Sequence, residues 1–143
     1  MLKLLVPVDG SEHSSRTIDY LLKNINGYKD GAEIHLLNVQ PPMPYGSRVS
    51  SVIGHDQINQ YHHDEGMAAL KAAMRMLDAA HVKYHYHVGV GNEAETIVKY
   101  AEEKGCDQIV MGTRGMGSVS NLLLGSIATK VIHLAKVPVV LVK

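Results

Sequence analysis

The sequence predicts a single α/β domain, over residues 1–143, in which helices cover both faces of a parallel sheet. Strand-like and helix-like segments alternate along the chain, which is typical of parallel strands joined by crossover helices. The strand-like segments are nearly continuous apolar runs, as expected for strands buried on both sides. A chain of this length buries enough surface to need neither a disulfide nor a metal to hold its core.

The first strand and helix come directly after the N-terminus. Leu2–Val8 is an apolar run broken only by Lys3, which predicts a buried strand. Ser11 is a suitable N-cap for a helix that runs to about Asn26, with apolar residues on one side. Gly27 is a plausible stop for that helix.

The second strand leads into a long connection and then into the longest helix. Glu33–Val39 predicts the strand, and the prolines that begin at Pro41 cannot continue it. The connection from residue 40 to residue 55 is longer than most, and such loops are usually functional or disordered. The apolar spacing after it predicts a helix over about Asp56–His81.

The last part of the chain repeats the same alternation. Val82–Val88 predicts the third strand, and Asn92, with Glu95 three residues later, resembles a capping box that begins a helix to Lys104. Gly105 ends that helix. The remaining elements are predicted as a strand over Asp107–Met111, a helix over Ile127–Ala135 and a strand over Val137–Val142.

Composition excludes several classes of function. Lys plus Arg equals Asp plus Glu at 14 each, so the formal net charge is zero, and a nucleic-acid partner is not expected. A single cysteine, Cys106, cannot form an internal disulfide, which fits a reducing cytoplasm. The N-terminus does not match a signal peptide, and no apolar run is long enough to cross a bilayer.

The most informative motif lies between residues 109 and 126. An apolar strand ends at Gly112, and Gly115, Gly125 and Ser126 follow in the spacing Gly-x2-Gly-x9-Gly-Ser. Glycines at such a position allow positive φ and a close approach of the backbone to a ligand. A helix then begins, and a helix start offers unpaired N–H groups and the positive end of its dipole to an anion. Together these features predict a phosphate cradle.

This spacing resembles the nucleotide-binding branch of the universal stress protein family. The opening segment Leu4–Ser11 and the closing segment Ala135–Val142 resemble the first and last strands of the family, so the likeness covers nearly the whole chain. It implies a doubly wound, Rossmann-like, five-stranded parallel sheet of order 3-2-1-4-5, of the adenine nucleotide alpha hydrolase-like type. Ligands of such sheets bind at the switch point between strands one and four, where Asp9 and Gly112 converge.

The resemblance also implies roles in ATP binding. Asp9 would accept hydrogen bonds from a ribose hydroxyl or help to hold a metal, although Asp9, Gly10 and Ser11 also suit a plain turn and helix cap. The backbone of Pro7 and Val8 would lie along the nucleoside. Val39 would meet the adenine edge. Met111 is expected mainly in the core and would also pack against the base or the ribose.

The phosphates would be held by the glycine loop. The residues implied are Gly112, Gly115, Gly125, Ser126 and Ile127, with weaker support for Arg114 and Gly117. Ser126 is expected either to cap the helix or to offer its hydroxyl to a phosphate. Mg²⁺ or Mn²⁺ is expected with the triphosphate, because one nearby arginine leaves much charge uncompensated.

Two other patterns are discounted. Gly89–Ala94 has the form of a dinucleotide fingerprint, but it follows the third strand, and Glu93 would sit where a pyrophosphate should approach. His85 and His87 share one strand face, yet no cysteine or carboxylate shows ligand spacing with them, so a polar face on an edge strand is the preferred interpretation.

Three functions remain open from the sequence. The leading one is an ATP-binding regulator with slow or no hydrolysis, since no general base is evident. The others are an adenylyl- or phosphoryl-transfer enzyme on the same fold and an interaction module without nucleotide. The apolar last strand, Val137–Val142, predicts a homodimer formed through a bare sheet edge. The connection from Pro41 to His55 would be either a lid that uses Tyr45 or Arg48, or a connection with no role.

Overall fold

The protein is a five-stranded, all-parallel sheet with helices on both faces, described here from a computed structural model over residues 1–43, 54–115 and 123–143. The strands are β1 (Leu2–Pro7), β2 (Ala32–Gln40), β3 (Tyr84–Val90), β4 (Gln108–Gly112) and β5 (Val139–Val142). Their order is β3-β2-β1-β4-β5, which confirms the predicted order. The helices are α1 (Glu12–Asn24), α2 (His55–Ala79), α3 (Glu93–Glu103) and α4 (Ser126–Leu134).

Two cores lie on opposite faces of the sheet. Alternate side chains of β1 show this division, because Leu4 packs with residues of α1 and α2 while Leu5 packs with residues of α3 and α4. Both leucines are fully buried. The strands are apolar on both sides, as the continuous runs in the sequence predicted.

The observed elements differ from the predicted ones at their ends. The third strand begins at Tyr84 rather than Val82, because the Val82 amide donates a hydrogen bond to the Leu77 carbonyl and so completes the end of α2. Helix α1 ends at Asn24 and passes into a 3₁₀ turn over Ile25–Gly27. These are shifts of helix termination, which a short local sequence specifies poorly.

The last strand is also shorter than predicted. It begins at Val139 rather than Val137, after Pro138, which has no amide hydrogen to donate to a ladder. The predicted helix over Ile127–Ala135 is shifted by one residue, to Ser126–Leu134. Among the described residues, no helix is long and apolar enough to cross a membrane.

The topology places the loops after β1 and β4 beside each other. These two strands pair in parallel, with Leu5 opposite Ile109, so their carboxyl ends meet at the same edge. The chain leaves β1 toward α1 on one face and leaves β4 toward α4 on the other. A crevice therefore opens between the two loops, as it does at the switch point of doubly wound sheets.

Candidate functional site

A cavity of about 260 Å³ lies in this crevice. Its wall is lined by Pro7, Asp9, Ser14, Asn38, Val39, Gln40, Glu93, Met111, Gly112, Arg114, Gly115, Gly125, Ser126, Ile127 and Ala128. Ligand sites are commonly concave spaces at such switch points, from roughly 300 Å³ upward. The structure thus gathers in one wall most of the residues that the sequence analysis selected from four separate segments.

Asp9 is fixed at the start of α1 by two hydrogen bonds to one of its oxygens. Its Oδ1 accepts from the Ser11 amide at 2.9 Å and from Ser14 Oγ at 2.9 Å. Ser14 Oγ in turn accepts from the Asp9 amide at 3.0 Å. Asp9 therefore has the structural role that the sequence left open as an alternative, and the same carboxylate lines the cavity.

Ser11 stands at the N-cap position of α1, but its side chain does not cap the helix. The predicted cap is thus right in position and wrong in mechanism. The Asp9 carboxylate accepts a hydrogen bond from the Ser11 amide instead. Ser11 Oγ is buried and has no hydrogen-bond partner among the described residues.

Two glycines are needed where the loop after β4 approaches α1 and Asp9. A Cβ on Gly115 would lie 2.6 Å from Asp9 Oδ2, and one on Gly112 would lie 3.1 Å from the Cβ of His13. At both positions the backbone lies close to other parts of the protein. The approach to a ligand, which the sequence predicted, stays a prediction. The other expectation, positive φ, is wrong: among the described residues the glycines with positive φ lie elsewhere, and Gly125 has φ −73°.

The start of α4 forms the floor of the cavity. Gly125 is its N-cap, and the Gly125 carbonyl accepts hydrogen bonds from the amide and the hydroxyl of Thr129. No side chain in the described ranges caps this helix. Ser126 is the first helical residue rather than the cap, which corrects one of its two predicted roles. The first turn of α4, with Ser126 and Ile127 in the cavity wall, offers a positive helix end to an anion.

The family model of the universal stress proteins matches residues 1–143. The chain therefore belongs to the universal stress protein family. A universal stress protein of Methanocaldococcus jannaschii, MJ0531, is 35% identical over 141 residues, which cover 99% of this chain and 81% of the relative. The solved structure of MJ0577, a universal stress protein of the same organism, superimposes with a TM-score of 0.77 at 27% identity, over 99% of this chain and 95% of that one.

A universal stress protein of Arabidopsis thaliana has the same fold and was solved with AMP bound. It superimposes with a TM-score of 0.70 at 21% identity, over 100% of this chain and 92% of that chain. At this identity the likeness shows the shared fold. Its ligand is a property of the Arabidopsis protein.

The side of the cavity formed by β2 of this universal stress protein contains residues that sequence reasoning missed. Asn38 is 4% exposed, and its Nδ2 donates to the Val8 carbonyl at 2.8 Å. Gln40 Nε2 donates to Asn38 Oδ1 at 2.7 Å. These two amides tie the end of β1 to β2 beside Val39, which lines the cavity. An amide side chain at Asn38, within an otherwise apolar strand, was the signal in the sequence that could have revealed these two residues.

Among the described residues that were predicted for the site, Val8 differs in its position relative to the cavity. Its side chain is buried in the core between the sheet and α1, and it is not among the residues that line the cavity. Its amide donates to the Leu37 carbonyl, and its own carbonyl accepts from Asn38. The structure thus gives Val8 a place in the packing beneath the site.

Glu93 is a further residue of the wall that the sequence did not assign to it. Burial raises the pKa of its carboxyl, and the charge of Asp9 raises it further. From the sequence, this carboxylate argued against a phosphate site in the segment from residue 89 to residue 94. The fold instead brings it to the cavity beside the loop after β4, and this neighbourhood depends on contacts between residues far apart in the chain.

Some predicted residues lie outside the described part of the chain. These are Gly117 in the glycine loop and Tyr45 and Arg48 in the connection after β2. Arg114 lies within the described residues and lines the cavity.

Proposed function

We propose that this universal stress protein binds ATP at the carboxyl edge of its sheet and acts as a nucleotide-dependent regulator with slow or no hydrolysis. The observation that carries this proposal is the convergence of Asp9, the glycine backbone of the loop after β4 and the start of α4 on one cavity. Each part suits a different piece of a nucleotide. Solved proteins of the same fold bind adenine nucleotides, which supports the choice of base.

The nucleoside would lie against β1 and β2. Pro7 and Val39 line the cavity, and hydrogen bonds of the Asn38 and Gln40 side chains connect these two strand ends. Asp9 would accept a hydrogen bond from a ribose hydroxyl. Its attachment to Ser11 and Ser14 holds the carboxylate in place before the ligand arrives.

The phosphates would lie over the first turn of α4. Amide groups at a helix start bind phosphate through both hydrogen bonding and the helix dipole. Because Gly112 and Gly115 have no Cβ to meet His13 or Asp9, the backbone of the loop lies close to the start of α1 at the edge of the cavity. Arg114 adds a guanidinium to the same wall.

A divalent cation would accompany the triphosphate. In the described part of the wall the ionisable groups are the carboxylates of Asp9 and Glu93 and the guanidinium of Arg114. These groups add no net positive charge to offset a triphosphate. Oxygen ligands suit Mg²⁺ or Mn²⁺, and Asp9 is the residue we would assign to such an ion.

A transfer enzyme is the second candidate, and one observation favours it. A carboxyl whose pKa is raised toward neutrality is suited to general base catalysis, and Glu93 is such a group in the cavity wall. Incubation with labelled ATP, followed by separation of ADP, pyrophosphate and phosphoprotein, tests this alternative. A turnover above about 1 per second, within the range of working enzymes, would favour it over a regulator.

The regulatory output would pass through a homodimer formed at β5, which ends the sheet on one side. An unpaired strand edge is suited to pairing with a second copy. We further place the protein in the cytoplasm, where its single buried thiol, Cys106, would stay reduced.

The decisive experiment is calorimetric titration of ATP with Mg²⁺ into nucleotide-stripped protein. Gly115→Ala is the informative variant, because its Cβ would meet the Asp9 carboxylate. Gly27→Ala is the matched control, since a Cβ there meets nothing within 4 Å. Binding that is lost in Gly115→Ala and kept in Gly27→Ala supports the proposal. Absence of binding to the unaltered protein would remove it.

A further inference from the structure

A cluster of three side chains with metal-binding groups lies outside the nucleotide cavity, on strands β2 and β3. Glu33 and His35 are two residues apart on β2 and therefore share a face of the sheet. His85 is paired in register with His35 on the neighbouring strand β3. In the sequence, no carboxylate stands at ligand spacing from His85. The pairing of β2 with β3 brings Glu33 close to His85, although the paired residues His35 and His85 are 50 positions apart in the chain.

The atoms of this cluster are close enough to share an ion. Glu33 Oε1 lies 3.0 Å from His35 Nε2 and 3.1 Å from His85 Nε2. The ligand atoms of all three residues lie within 4.8 Å of one another. Two ligands that are each about 2.0–2.1 Å from a tetrahedral ion are about 3.3 Å apart. A shift of a few tenths of an ångström at Glu33, and an approach of the two imidazole nitrogens by up to about 1.5 Å, would produce that arrangement.

We propose that Glu33, His35 and His85 form a binding site for a divalent transition-metal ion, with Zn²⁺ as the ion that the donor set fits best. Two imidazoles and one carboxylate are ligands that Zn²⁺ takes in proteins, and the fourth position would be filled by water. The exposure of the side chains leaves such a position on the outer side. His35 is 9% exposed, Glu33 29% and His85 65%.

The three side chains are already grouped around one carboxylate oxygen. Glu33 Oε1 is hydrogen-bonded to His35 Nε2 at 3.0 Å and lies in close contact with His85 Nε2 at 3.1 Å. An ion bound between the carboxylate and the two rings would replace both contacts.

Ring packing holds the imidazoles in place. The rings of His35 and His85 stack with centroids 4.8 Å apart, and Tyr100 of α3 meets His35 edge-on at 6.4 Å. His35 Nδ1 is buried without a hydrogen-bond partner among the described residues. A supporting acceptor on that nitrogen usually strengthens a metal–histidine bond. The site is therefore expected to bind Zn²⁺ in the micromolar range rather than more tightly.

The ion would join the edge strand of the sheet to its neighbour. Among the described residues β3 is an edge strand that pairs with β2 alone, and helices pack on it. Ligands from both strands would add a direct connection between them. The cluster lies on the amino-terminal half of the strands, away from the carboxyl edge that forms the nucleotide cavity, so this inference does not depend on the proposed function.

Titration with Zn²⁺, together with the visible absorption of Co²⁺ as its spectroscopic substitute, tests the site. His85→Ala and Glu33→Gln remove one ligand each, and both side chains are partly exposed, so the fold should survive. His87→Ala is the matched control. His87 lies two residues along on the same face of β3 and stacks on Tyr100 at 5.5 Å, outside the cluster.

We expect one tetrahedral Co²⁺ site in the unaltered protein and a thermal midpoint that rises with Zn²⁺. Loss of a supporting partner alone weakens metal sites by about 10- to 100-fold, so loss of a ligand should weaken Zn²⁺ binding by at least about tenfold. His87→Ala should bind as the unaltered protein does. The chain has nine histidines, so equal Zn²⁺ binding by all variants would place the ion elsewhere and overturn the proposal. Absence of any micromolar binding would overturn it as well.

Discussion

The amide of Gly125 donates a hydrogen bond to the carbonyl of Thr113 at 2.6 Å, and this bond joins the end of β4 to the start of α4. The Thr113 amide donates in turn to the Val142 carbonyl of β5. The glycine loop is therefore closed at its base by bonds that do not involve its inner residues. The position of the helix start beneath the cavity follows from this closure.

The first prediction concerns Glu93 and the affinity for ATP. An ionised carboxylate in the cavity wall repels a triphosphate, and the raised pKa of Glu93 means that protonation relieves this repulsion at a higher pH than it would for an ordinary glutamate. Glu93→Gln should therefore bind ATP more tightly at neutral pH. The gain should shrink as pH falls through the raised pKa of Glu93, because the two proteins then carry the same charge there.

Calorimetry at several pH values measures this difference. Titration of the ATP phosphates is common to both proteins and cancels in the comparison. Glu95→Gln is the control, since Glu95 stands in the same first turn of α3 and both changes lose a similar helix-dipole interaction, about 0.3–1 kcal/mol. Equal affinities for ATP in the Glu93→Gln and unaltered proteins would exclude Glu93 from the phosphate environment.

The same carboxyl predicts the direction of a stability change. The folded state raises the pKa of Glu93, so it favours the protonated form, and ionisation costs the folded state free energy at pH values above the ordinary glutamate pKa. The free energy of unfolding of Glu93→Gln should therefore exceed that of the unaltered protein at neutral pH. The difference should disappear in acid, where both side chains are neutral. Urea unfolding at the two pH values measures it, and a difference that grew toward acid would contradict the assignment.

Much of the fold and part of the site could be predicted from the sequence because they depend on local patterns. Continuous apolar runs indicate buried strands, and the spacing of Gly112, Gly115 and Gly125 marks the loop after β4. What could not be predicted depends on which residues become neighbours across strands. The proximity of Glu93 to Asp9, and that of Glu33 to His85, is set by strand register and helix packing.

The pattern of residue types also could not predict details of backbone conformation and capping. The glycine spacing suggested positive φ, but the structure uses Gly115 for its lack of a side chain beside Asp9. Ser11 stood at a cap position by type, yet the carboxylate of Asp9 accepts from its amide. In both cases the residue type permits two solutions, and tertiary contacts select one.

Asn38 is predicted to be a stabilising residue of the site. Asn38→Ala would leave the Val8 carbonyl and Gln40 Nε2 without their present hydrogen-bond partner. The bond to the Val8 carbonyl is buried. Leaving a buried polar group unsatisfied costs about 1–3 kcal/mol. Denaturant unfolding should show a loss of that size. Asn24→Ala is the control, because Asn24 makes an exposed bond within α1, to the Tyr20 carbonyl, and its loss should cost less.

Gly66 is predicted to reverse the usual effect of a glycine-to-alanine change in a helix. In an exposed helix interior this change stabilises by about 1 kcal/mol, because alanine has the higher helix propensity. In α2, however, a Cβ on Gly66 would overlap the side chain of Val88 in β3. Gly66→Ala should therefore destabilise the protein, by about 1–3 kcal/mol for an overpacked contact.

A double-mutant cycle isolates that contact. Val88→Ala removes the overlapping methyl groups, so Gly66→Ala should be less harmful, or stabilising, when it is added to Val88→Ala. Additive losses of the free energy of unfolding in the double variant would show that the close approach of α2 to β3 is not the cause.

The last prediction concerns the sheet edge that we propose as the dimer interface. All residues of β5 are half-buried within the chain, so their side chains already pack on the two cores. What the edge offers a second copy is its backbone, which among the described residues pairs with β4 on one side alone.

Val142→Lys, at the end of β5, would bring like charges together across a two-fold axis and should weaken the dimer. Val90→Lys places the same charge on the opposite edge strand, where Val90 is 48% exposed, and should leave the dimer intact. Light scattering at micromolar concentration measures the mass of each protein, and a monomeric unaltered protein, or dissociation by Val90→Lys rather than Val142→Lys, would move the interface away from β5.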